Sequence, residues 1–366
     1  MNRLLYIFRK TDWLIFSLTF LILALGLLAI YSTSFSAPEQ DQSVFTKQIT
    51  FMLAGFVLMF LVSGIDFRLL RSVSWFLYIG GALLLLLVLV IGTEIRGTTG
   101  WIFIGSVGFQ PVEFVKLLFI VFLARYFADH GHDFRRVRPV LLSGLGLAAY
   151  LGLVLMQPDL GSAIVYFVLW YGLLFLLNIK RRYLVGVFLT VLIFASASWS
   201  FALQDYQKER IMTFLNPSQD ALKTGYNITQ SMVAVGSGEF WGRGLGLGTQ
   251  SQLNFLPEQQ TDFIYAVIAE ELGFIGAALL LILFGVLFWR LMKVAREARD
   301  DYSLFLASSV IIMIYLQMFI NIGMNMGLMP VVGIPLPFVS AGGSSLIASL
   351  IAIGMIQSVI IHRPTS

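Results

Sequence analysis

The sequence predicts an all-α polytopic membrane protein with about ten transmembrane helices, forming a single integral membrane domain over residues 1–366. Hydrophobic residues make up 58% of the chain and charged residues only 12%. A chain of 366 residues with so little polar surface cannot be covered as a water-soluble globule. Apolar stretches also recur along the chain, and each approaches the roughly 20 residues that cross a bilayer as a helix.

These stretches set the order of the predicted helices, with a long extracytoplasmic loop between helices 7 and 8. They cover residues 13–34, 47–64, 72–92, 111–128, 139–156, 159–178, 183–203, 262–290, 303–326 and 340–361. The first is long enough to span and no small-residue cleavage site follows it, so we expect it to remain as the first helix. Cysteine is absent, which excludes disulfides and thiolate metal sites.

The distribution of basic residues predicts the orientation of these helices. If the amino terminus is cytoplasmic, 17 of the 24 lysines and arginines fall on the cytoplasmic side, which leaves 7 elsewhere. This bias follows the positive-inside rule and predicts that both termini are cytoplasmic. The connections at 35–46, 93–110, 204–261 and 327–339 would then lie outside.

The longest outer connection has features of a site. Segment 204–261 is too long for a plain connector, and its apolar patches at 211–215, 228–235 and 240–241 indicate short helices that line or cover a site. Its glycine-rich run 242–248 lacks the phosphate-loop pattern of nucleotide-binding proteins. A flexible turn and a backbone-lined path for an anionic lipid head group both remain open for this run.

The outer connection 327–339 belongs to a proline-rich stretch that cannot form a regular helix. Its prolines are Pro330, Pro335 and Pro337, and a run of small residues follows at 340–345. Irregular backbone at membrane depth is tolerated only where it lines a cavity or is buried in protein. We therefore expect a re-entrant outer loop.

Asp262 is the first catalytic candidate. It ends the polar stretch that precedes the apolar run 264–289, and an ionisable group at a membrane surface is costly and usually functional. On a regular helix a stripe of small residues would lie within about 40° of it, which favours close packing and directs the aspartate into protein. That stripe consists of Ala266, Ala269, Gly273 and Gly276. The alternative is that Thr261 or Asp262 caps the helix.

Two further carboxylates lie at predicted helix starts. Glu113 and Lys116 are one turn apart at the start of the fourth span, close enough to pair. They form either a structural ion pair or a site in which Lys116 offers positive charge to a phosphate. Asp159 opens the sixth span, where an N-cap is a better explanation than a catalyst.

Polar residues also recur within the later spans. Gln317, Asn321 and Asn325 form an i, i+4, i+8 stripe, explained by hydrogen bonding between helices or, second, by cavity lining. Glu270 lies about 80° from Asp262 on a regular helix and Glu271 nearly opposite. Either glutamate can pair with a neighbouring helix.

Together the motifs resemble the SEDS family of shape, elongation, division and sporulation proteins, which are polytopic peptidoglycan glycosyltransferases. The matching motifs are Arg96-Gly97-x-x-x-Trp101, Gln110-Pro111-x-Glu113-x-x-Lys116, Gln157-Pro158-Asp159-Leu160-Gly161, Asn216-Pro217, Gly225-Tyr226, Gln230-Ser231, Leu256 to Phe263, Glu270-Glu271-Leu272-Gly273 and Gly342-Gly343-Ser344-Ser345. The stretches 249–255 and 333–338 look more like the elongation type, RodA, than the division type, FtsW. The chain departs from the family pattern at Gly100, Val112 and Ala341.

The resemblance implies an activity: polymerisation of lipid II into glycan strands on the outer face of the bacterial cytoplasmic membrane, with release of undecaprenyl pyrophosphate. Asp262 matches the essential aspartate of the family, and Lys116 and Arg210 are the cationic candidates for the diphosphate. The substrate-binding candidates are Glu113, Lys116, Arg210, Glu258, Trp101, Asp159, Asn321 and Ser344. The implied partner is a class B penicillin-binding protein, besides membrane lipid, and no nucleic acid is expected. No metal ligand is assigned and no cofactor is certain, although a divalent cation is left open.

Other functions fit parts of the same pattern. A lipid II flippase would also use many spans with polar residues, but a transporter should show paired repeats or matching broken helices, and we find no internal repeat. A scaffold that only anchors a wall synthase leaves the intramembrane charges of Asp262, Glu113 and Lys116 without a purpose. A division-type polymerase remains the alternative within the family.

Overall fold

The computed structural model describes most of the chain. The described residues are 3–35, 39–95, 97–105, 107–131, 133, 136–177, 179–201, 204–215, 224–253 and 255–363. Four residues of the family-like motifs lie outside this set: Arg96, Asn216, Pro217 and Asn254.

The described residues are mainly helical. The helices are α1 (Arg3–Lys10), α2 (Trp13–Phe35), α3 (Glu39–Ser63), α4 (Phe67–Ile91), α5 (Pro111–His130), α6 (Val137–Leu155), α7 (Leu160–Leu176), α8 (Arg181–Phe201), α9 (Asp205–Leu215), α10 (Thr224–Ser237), α11 (Thr249–Gln252), α12 (Ile264–Arg296), α13 (Asp301–Asn325) and α14 (Gly343–Ile361). Three short strands separate α4 from α5: β1 (Thr93–Ile95), β2 (Thr98–Ile104) and β3 (Val107–Phe109).

A helix coincides with each of the ten predicted spans. Within the described residues, 7 helices are long and apolar enough to cross a membrane: α2, α3, α4, α6, α12, α13 and α14. The other three are α5, α7 and α8, with 20, 17 and 21 residues. The prediction of an all-α polytopic membrane protein is therefore confirmed.

The helices pack around α13 and α14, which have many buried residues. α14 lies mainly against α3, α13 lies against α5, α7 and α12, and α12 also packs on α2. Arg290 Nε donates to Asp12 Oδ2 at 2.6 Å, and Arg363 Nη1 donates to Glu297 Oε2 at 2.9 Å. Because Arg290 and Glu297 both lie near the end of α12, the two chain termini lie at one end of the bundle.

The connection 93–110 contains a small sheet where the sequence predicted only a loop. The antiparallel strands have the order β1-β2-β3, with Thr93 opposite Trp101 and Phe103 opposite Gly108. The sheet lies at the end of the bundle away from the termini, which we call the cavity end. It places Trp101 beside the starts of α5 and α7.

The long helix α12 is not regular, contrary to the sequence analysis. It begins at Ile264, after Asp262, and Gly273 interrupts it with φ 65° and ψ −163°. A β-carbon at Gly273 would lie 2.2 Å from the Gly242 nitrogen, so only glycine fits this conformation and this contact. The small-residue stripe predicted to share a face with Asp262 does not exist as one helical face.

The break in α12 also explains the glycine-rich run. The N–H groups of Arg243 and Gly244 donate to the carbonyls of Glu270 and Glu271 at 2.9 and 3.0 Å. These two amides are occupied by the backbone of α12, which anchors the start of the run to the break at Gly273. Glu270 and Glu271 themselves bind the segment after this run.

Those two glutamates hold α11 through their side chains. Glu270 accepts hydrogen bonds from the Gln250 and Ser251 amides at 2.8 and 3.0 Å. Glu271 Oε1 accepts from Ser32 Oγ at 2.7 Å and from Gln252 Nε2 at 2.9 Å. They therefore pair with neighbouring elements, as the sequence suggested.

The proline-rich stretch after α13 folds back into the bundle. The carbonyl of Ile334 accepts a hydrogen bond from Asn321 Nδ2 at 2.9 Å, one helical turn before the end of α13. Farther along, Val339 packs on Gly26 within α2, where a β-carbon would lie 2.6 Å from the Val339 carbonyl oxygen. This irregular backbone is buried in protein and forms one wall of a cavity.

Candidate active site

A cavity of about 330 Å³ opens at the cavity end of the bundle. It lies where the sheet, α5, α7 and α9 meet the start of α12 and the folded-back stretch 330–342. The lining residues are Ile95, Thr98, Trp101, Gln110, Glu113, Lys116, Asp159, Ser162, Val165, Arg210, Thr261, Asp262, Val332, Gly333, Ile334, Pro335, Ala341, Gly342, Gly343, Ser344 and Ser345. Seven of the nine predicted site residues are among them.

Asp262 lies in the turn before α12 and not in the helix. The N-cap of α12 is Phe263, whose side chain makes no cap hydrogen bond. Asp262 is partly exposed at the cavity wall. A β-carbon on Gly333 would lie 3.8 Å from Asp262 Oδ2, which places the carboxylate against the folded-back stretch.

Backbone contacts on both sides fix the turn that carries Asp262. Ser340 Oγ donates to the Thr261 carbonyl at 2.6 Å, and the Ala341 amide donates to the Gln260 carbonyl at 2.8 Å. Gln48 of α3 in turn holds the Ser340 carbonyl at 3.1 Å and the Gly342 amide at 3.1 Å. The folded-back stretch is therefore the scaffold for the aspartate.

Glu113 and Lys116 form the predicted pair within the cavity lining. Lys116 Nζ lies 2.7 Å from Glu113 Oε1, and the two residues are 2% and 5% exposed. A buried lysine needs such a partner, since an unpaired charge in protein is strongly unfavourable. Both side chains nevertheless line the cavity, so the pair can also meet a bound anion.

Helix α9 covers the cavity and brings Arg210 to it. Tyr206 Oη lies 3.3 Å from the Gly97 carbonyl and 3.1 Å from the Pro158 carbonyl, and Gln207 Nε2 donates to the Pro158 carbonyl at 3.3 Å. The Arg210 guanidinium lies over the Tyr206 ring at 5.5 Å from its centre. Burial raises the pKa of Tyr206, so its hydroxyl stays a hydrogen-bond donor at neutral pH.

Arg210 differs from Lys116 in its surroundings. Among the described residues no carboxylate forms a salt bridge with Arg210, whereas Glu113 neutralises Lys116. Arg210 adds a second cation to the cavity lining. At Gly100, where the family pattern has an arginine, an added β-carbon would lie 3.7 Å from Gln157 Oε1.

Three further predicted residues lie on the wall with clear structural roles. Asp159 Oδ1 accepts from the Ser162 amide at 2.9 Å and caps α7, as the sequence favoured. Ser344 Oγ accepts from the Gln110 amide at 2.9 Å and joins α14 to the start of α5. Trp101 of β2 packs over Gly108.

Two predicted substrate-binding residues do not line the cavity. The exposed side chain of Glu258 accepts from Thr261 Oγ1 at 3.0 Å, within the turn that carries Asp262. Asn321 is fully buried behind the wall and donates to the Asp262 carbonyl at 3.0 Å. Asn321 therefore contacts the backbone of the candidate base and not the space a substrate would occupy.

The arrangement suits the transfer of a group from a diphosphate. The cavity lining includes the Asp262 carboxylate, held in a fixed turn, and two cations, Lys116 and Arg210. A carboxylate can take a proton from an attacking hydroxyl, while cations stabilise charge on a departing diphosphate. Across the ranges that the structure describes, no group of 3 or more His, Asp or Glu residues could hold a metal ion.

Comparison with known proteins places the chain among related sequences. Residues 12–364 match the family model for FtsW, RodA and SpoVE cell cycle proteins. The chain is 38% identical over 352 residues to the peptidoglycan glycosyltransferase MrdB of Escherichia coli strain K12, a match that covers 94% of this chain and 93% of MrdB.

Two solved structures have a similar fold. A chain from a peptidoglycan synthase complex that coordinates polymerization and crosslinking superimposes with a TM-score of 0.81 at 32% identity, over 97% of this chain and 99% of that chain. The rod shape determining protein RodA of Thermus thermophilus gives a TM-score of 0.72 at 30% identity, over 97% of this chain and 98% of its own. The similarity covers nearly the whole chain.

Proposed function

The chain belongs to the FtsW, RodA and SpoVE family of cell cycle proteins and is a peptidoglycan glycosyltransferase, and we propose that it polymerises lipid II in the cavity with Asp262 as the base. The observation that carries this assignment is the placement of the Asp262 carboxylate in the same cavity as two cations, Lys116 and Arg210. The carboxylate acts on the acceptor of the transfer, and the two cations act on the donor.

The base acts on the acceptor. The sugar hydroxyl of the acceptor attacks the anomeric carbon of the donor, and its proton passes to the Asp262 carboxylate. The new glycosidic bond forms as the bond from the anomeric carbon to the diphosphate oxygen breaks, and undecaprenyl pyrophosphate leaves with the electron pair. A single base is enough for inversion at that carbon, because the diphosphate is already an activated leaving group.

The cations act on the donor. Charge develops on the diphosphate as its bond to the sugar breaks, and fixed positive groups stabilise that charge. Arg210 enters the cavity from α9, and Lys116 lies on α5 beside Glu113. A divalent cation that accompanied the diphosphate would meet Asp159 and Asp262, the two wall carboxylates that Lys116 does not hold.

We also propose how the protein is oriented in the membrane and which process it serves in the cell. The charge bias supports an orientation with both termini cytoplasmic and the cavity on the outer face of the cytoplasmic membrane. A role in cell elongation and rod shape, as opposed to division, is supported by the stretches 249–255 and 333–338 and by the likeness to a rod shape determining protein.

A partner is also proposed. A similar chain comes from a complex that couples polymerization to crosslinking. A class B penicillin-binding protein, a transpeptidase, would supply the crosslinking step here.

The test is polymerisation of lipid II by the purified protein in lipid nanodiscs, alone and with a class B penicillin-binding protein. We expect glycan strands from the unmodified chain and none above background from Asp262→Asn. A protein that moves lipid II between leaflets of a vesicle but makes no strands under either condition would instead be a flippase.

A further inference from the structure

The side-chain amide of Asn325 occupies an unusual place at the start of α12. Asn325 is the last residue of α13 and is fully buried. Its Nδ2 donates to the Asp262 carbonyl at 2.9 Å, and its Oδ1 accepts from the Ala266 amide at 3.0 Å. The donor and acceptor thus face two backbone groups that are four residues apart.

Those two groups are the natural partners of a helical hydrogen bond. In an α-helix the N–H of residue 266 would donate to the carbonyl of residue 262. Here the Ala266 amide donates instead to the Phe263 carbonyl at 3.0 Å and to Asn325. The Asn325 amide is inserted between the Asp262 carbonyl and the Ala266 amide and bonds to both, and Asn321 Nδ2 also donates to the Asp262 carbonyl at 3.0 Å.

We propose that Asn325 is a positioning residue that holds Asp262 outside α12 and so directs its carboxylate into the cavity. The inference rests on the proposed function of Asp262. Without an inserted amide, the Ala266 amide and the Asp262 carbonyl can bond directly, which extends α12 by one residue and makes Asp262 its N-cap. The carboxylate of an N-cap aspartate turns to the free amides of the first helical turn, and so away from Gly333.

Neighbouring contacts make Asn325 a rigid point of support. Its Nδ2 also lies 2.8 Å from the Asn321 carbonyl, one turn back on α13. Its own carbonyl accepts from Ser231 Oγ of α10 at 2.9 Å. The junction therefore connects the aspartate to α13 and to α10.

Two substitutions at Asn325 test its two hydrogen bonds, to the Asp262 carbonyl and from the Ala266 amide, which together we call the clamp. Asn325→Asp keeps an acceptor for the Ala266 amide and loses the donor to the Asp262 carbonyl, whereas Asn325→Leu removes both at similar volume. We expect the leucine variant to lower kcat for lipid II polymerisation at least about tenfold with little change in KM, because the base is misplaced after substrate has bound. The aspartate variant should lose kcat in the same direction.

Gln317→Leu is the matched control. Gln317 is buried two turns earlier on α13, does not line the cavity, and its Oε1 has no hydrogen-bond partner within the described part of the chain. The Gln317→Leu variant should leave kcat for lipid II polymerisation unchanged. If Asn325 only stabilises the helix end, Asn325→Leu would lower the melting temperature while the folded fraction keeps the normal kcat, and the proposal would be overturned.

A second measurement does not depend on catalysis. The chain has no cysteine, so Asp262→Cys supplies a single thiol for an impermeant maleimide. Adding Asn325→Leu should change its labelling rate several-fold, while adding Gln317→Leu should not. An unchanged rate would overturn the clamp even if Asp262 proves essential, and full activity of Asp262→Asn would overturn the proposed function even if the labelling rate changes.

Discussion

Lys116 Nζ lies 2.7 Å from Glu113 Oε1 on the cavity wall, and both side chains are buried. Such a pair can be purely structural, because removing one partner leaves an uncompensated buried charge that costs roughly 3–5 kcal/mol. A single substitution therefore cannot tell a structural role from contact with the diphosphate. Removing both charges together can distinguish these two roles.

We expect Lys116→Met to reduce both stability and polymerisation, and Glu113→Gln with Lys116→Met to restore stability without restoring polymerisation. The double variant has no unpaired charge, yet it also lacks the cation for the diphosphate. Thermal unfolding and lipid II kinetics measured side by side would check this. Recovery of normal polymerisation in the double variant would assign the pair to structure alone.

A salt bridge at the other end of the bundle provides the control for the double variant of Glu113 and Lys116. Arg363 and Glu297 make a salt bridge at 2.9 Å that is partly open to solvent. Exposed pairs of this kind contribute about 0–1 kcal/mol. Removing both charges with Arg363→Met and Glu297→Gln should change neither the melting temperature nor the polymerisation rate appreciably.

The orientation of the bundle is a separate prediction. Leu247 is exposed after α10, at the cavity end, and Arg299 is exposed between α12 and α13, at the end with both termini. In intact cells with a permeable outer layer, Leu247→Cys should react with an impermeant thiol reagent and Arg299→Cys should react only after lysis. Reaction of both from one side would contradict the alternation of spans on which the outer placement of the cavity depends.

The docking of α9 can be tested through Tyr206. Tyr206→Phe removes the hydrogen bonds to the Gly97 and Pro158 carbonyls but keeps the ring beneath Arg210. One neutral hydrogen bond is worth about 1 kcal/mol, so KM for lipid II should rise roughly fivefold. Tyr315→Phe, on an exposed face of α13, is the matched control and should behave as the parent. An unchanged KM in Tyr206→Phe would mean that α9 does not need this contact to hold Arg210.

Much of this site could be predicted because its signals are local. Glu113 and Lys116 are three residues apart at a helix start, a spacing at which side chains meet. Asp159 precedes a span, where an aspartate caps the free amides. A lone carboxylate beside an apolar run marked Asp262. In each case the sequence signal lies within about one helical turn of the residue.

The missed features depend on contacts between distant parts of the chain. Gly273 in an apolar run looks like a packing glycine, and its break is set by the backbone of Gly242, which is 31 residues earlier. Tyr206 and Gln207 dock on carbonyls, which carry no side-chain signal. The polar stripe on α13 was visible, but nothing in the sequence shows that Asn325 bonds the backbone beside Asp262.

The role of Asp262 gives the most direct prediction. Asp262→Asn keeps the size of the side chain and its ability to accept a hydrogen bond, but it cannot take a proton. The turn is held through its main chain by Ser340, Asn321 and Asn325, so the variant should fold, insert and bind its partner normally. Its polymerisation rate should fall by roughly two to four orders of magnitude, the usual contribution of a general base.

Asp300→Asn controls for loss of a capping aspartate. Asp300 Oδ1 accepts from the Ser303 amide at 2.9 Å and caps α13 at the end of the bundle away from the cavity. Because asparagine caps a helix about as well as aspartate, this variant should keep its stability and its rate. Asparagine would also preserve any capping by Asp262, so a loss of rate confined to Asp262→Asn points to the lost proton acceptor. Near-normal strand synthesis by a folded Asp262→Asn protein would remove this carboxylate from the chemistry and leave the cavity without an assigned base.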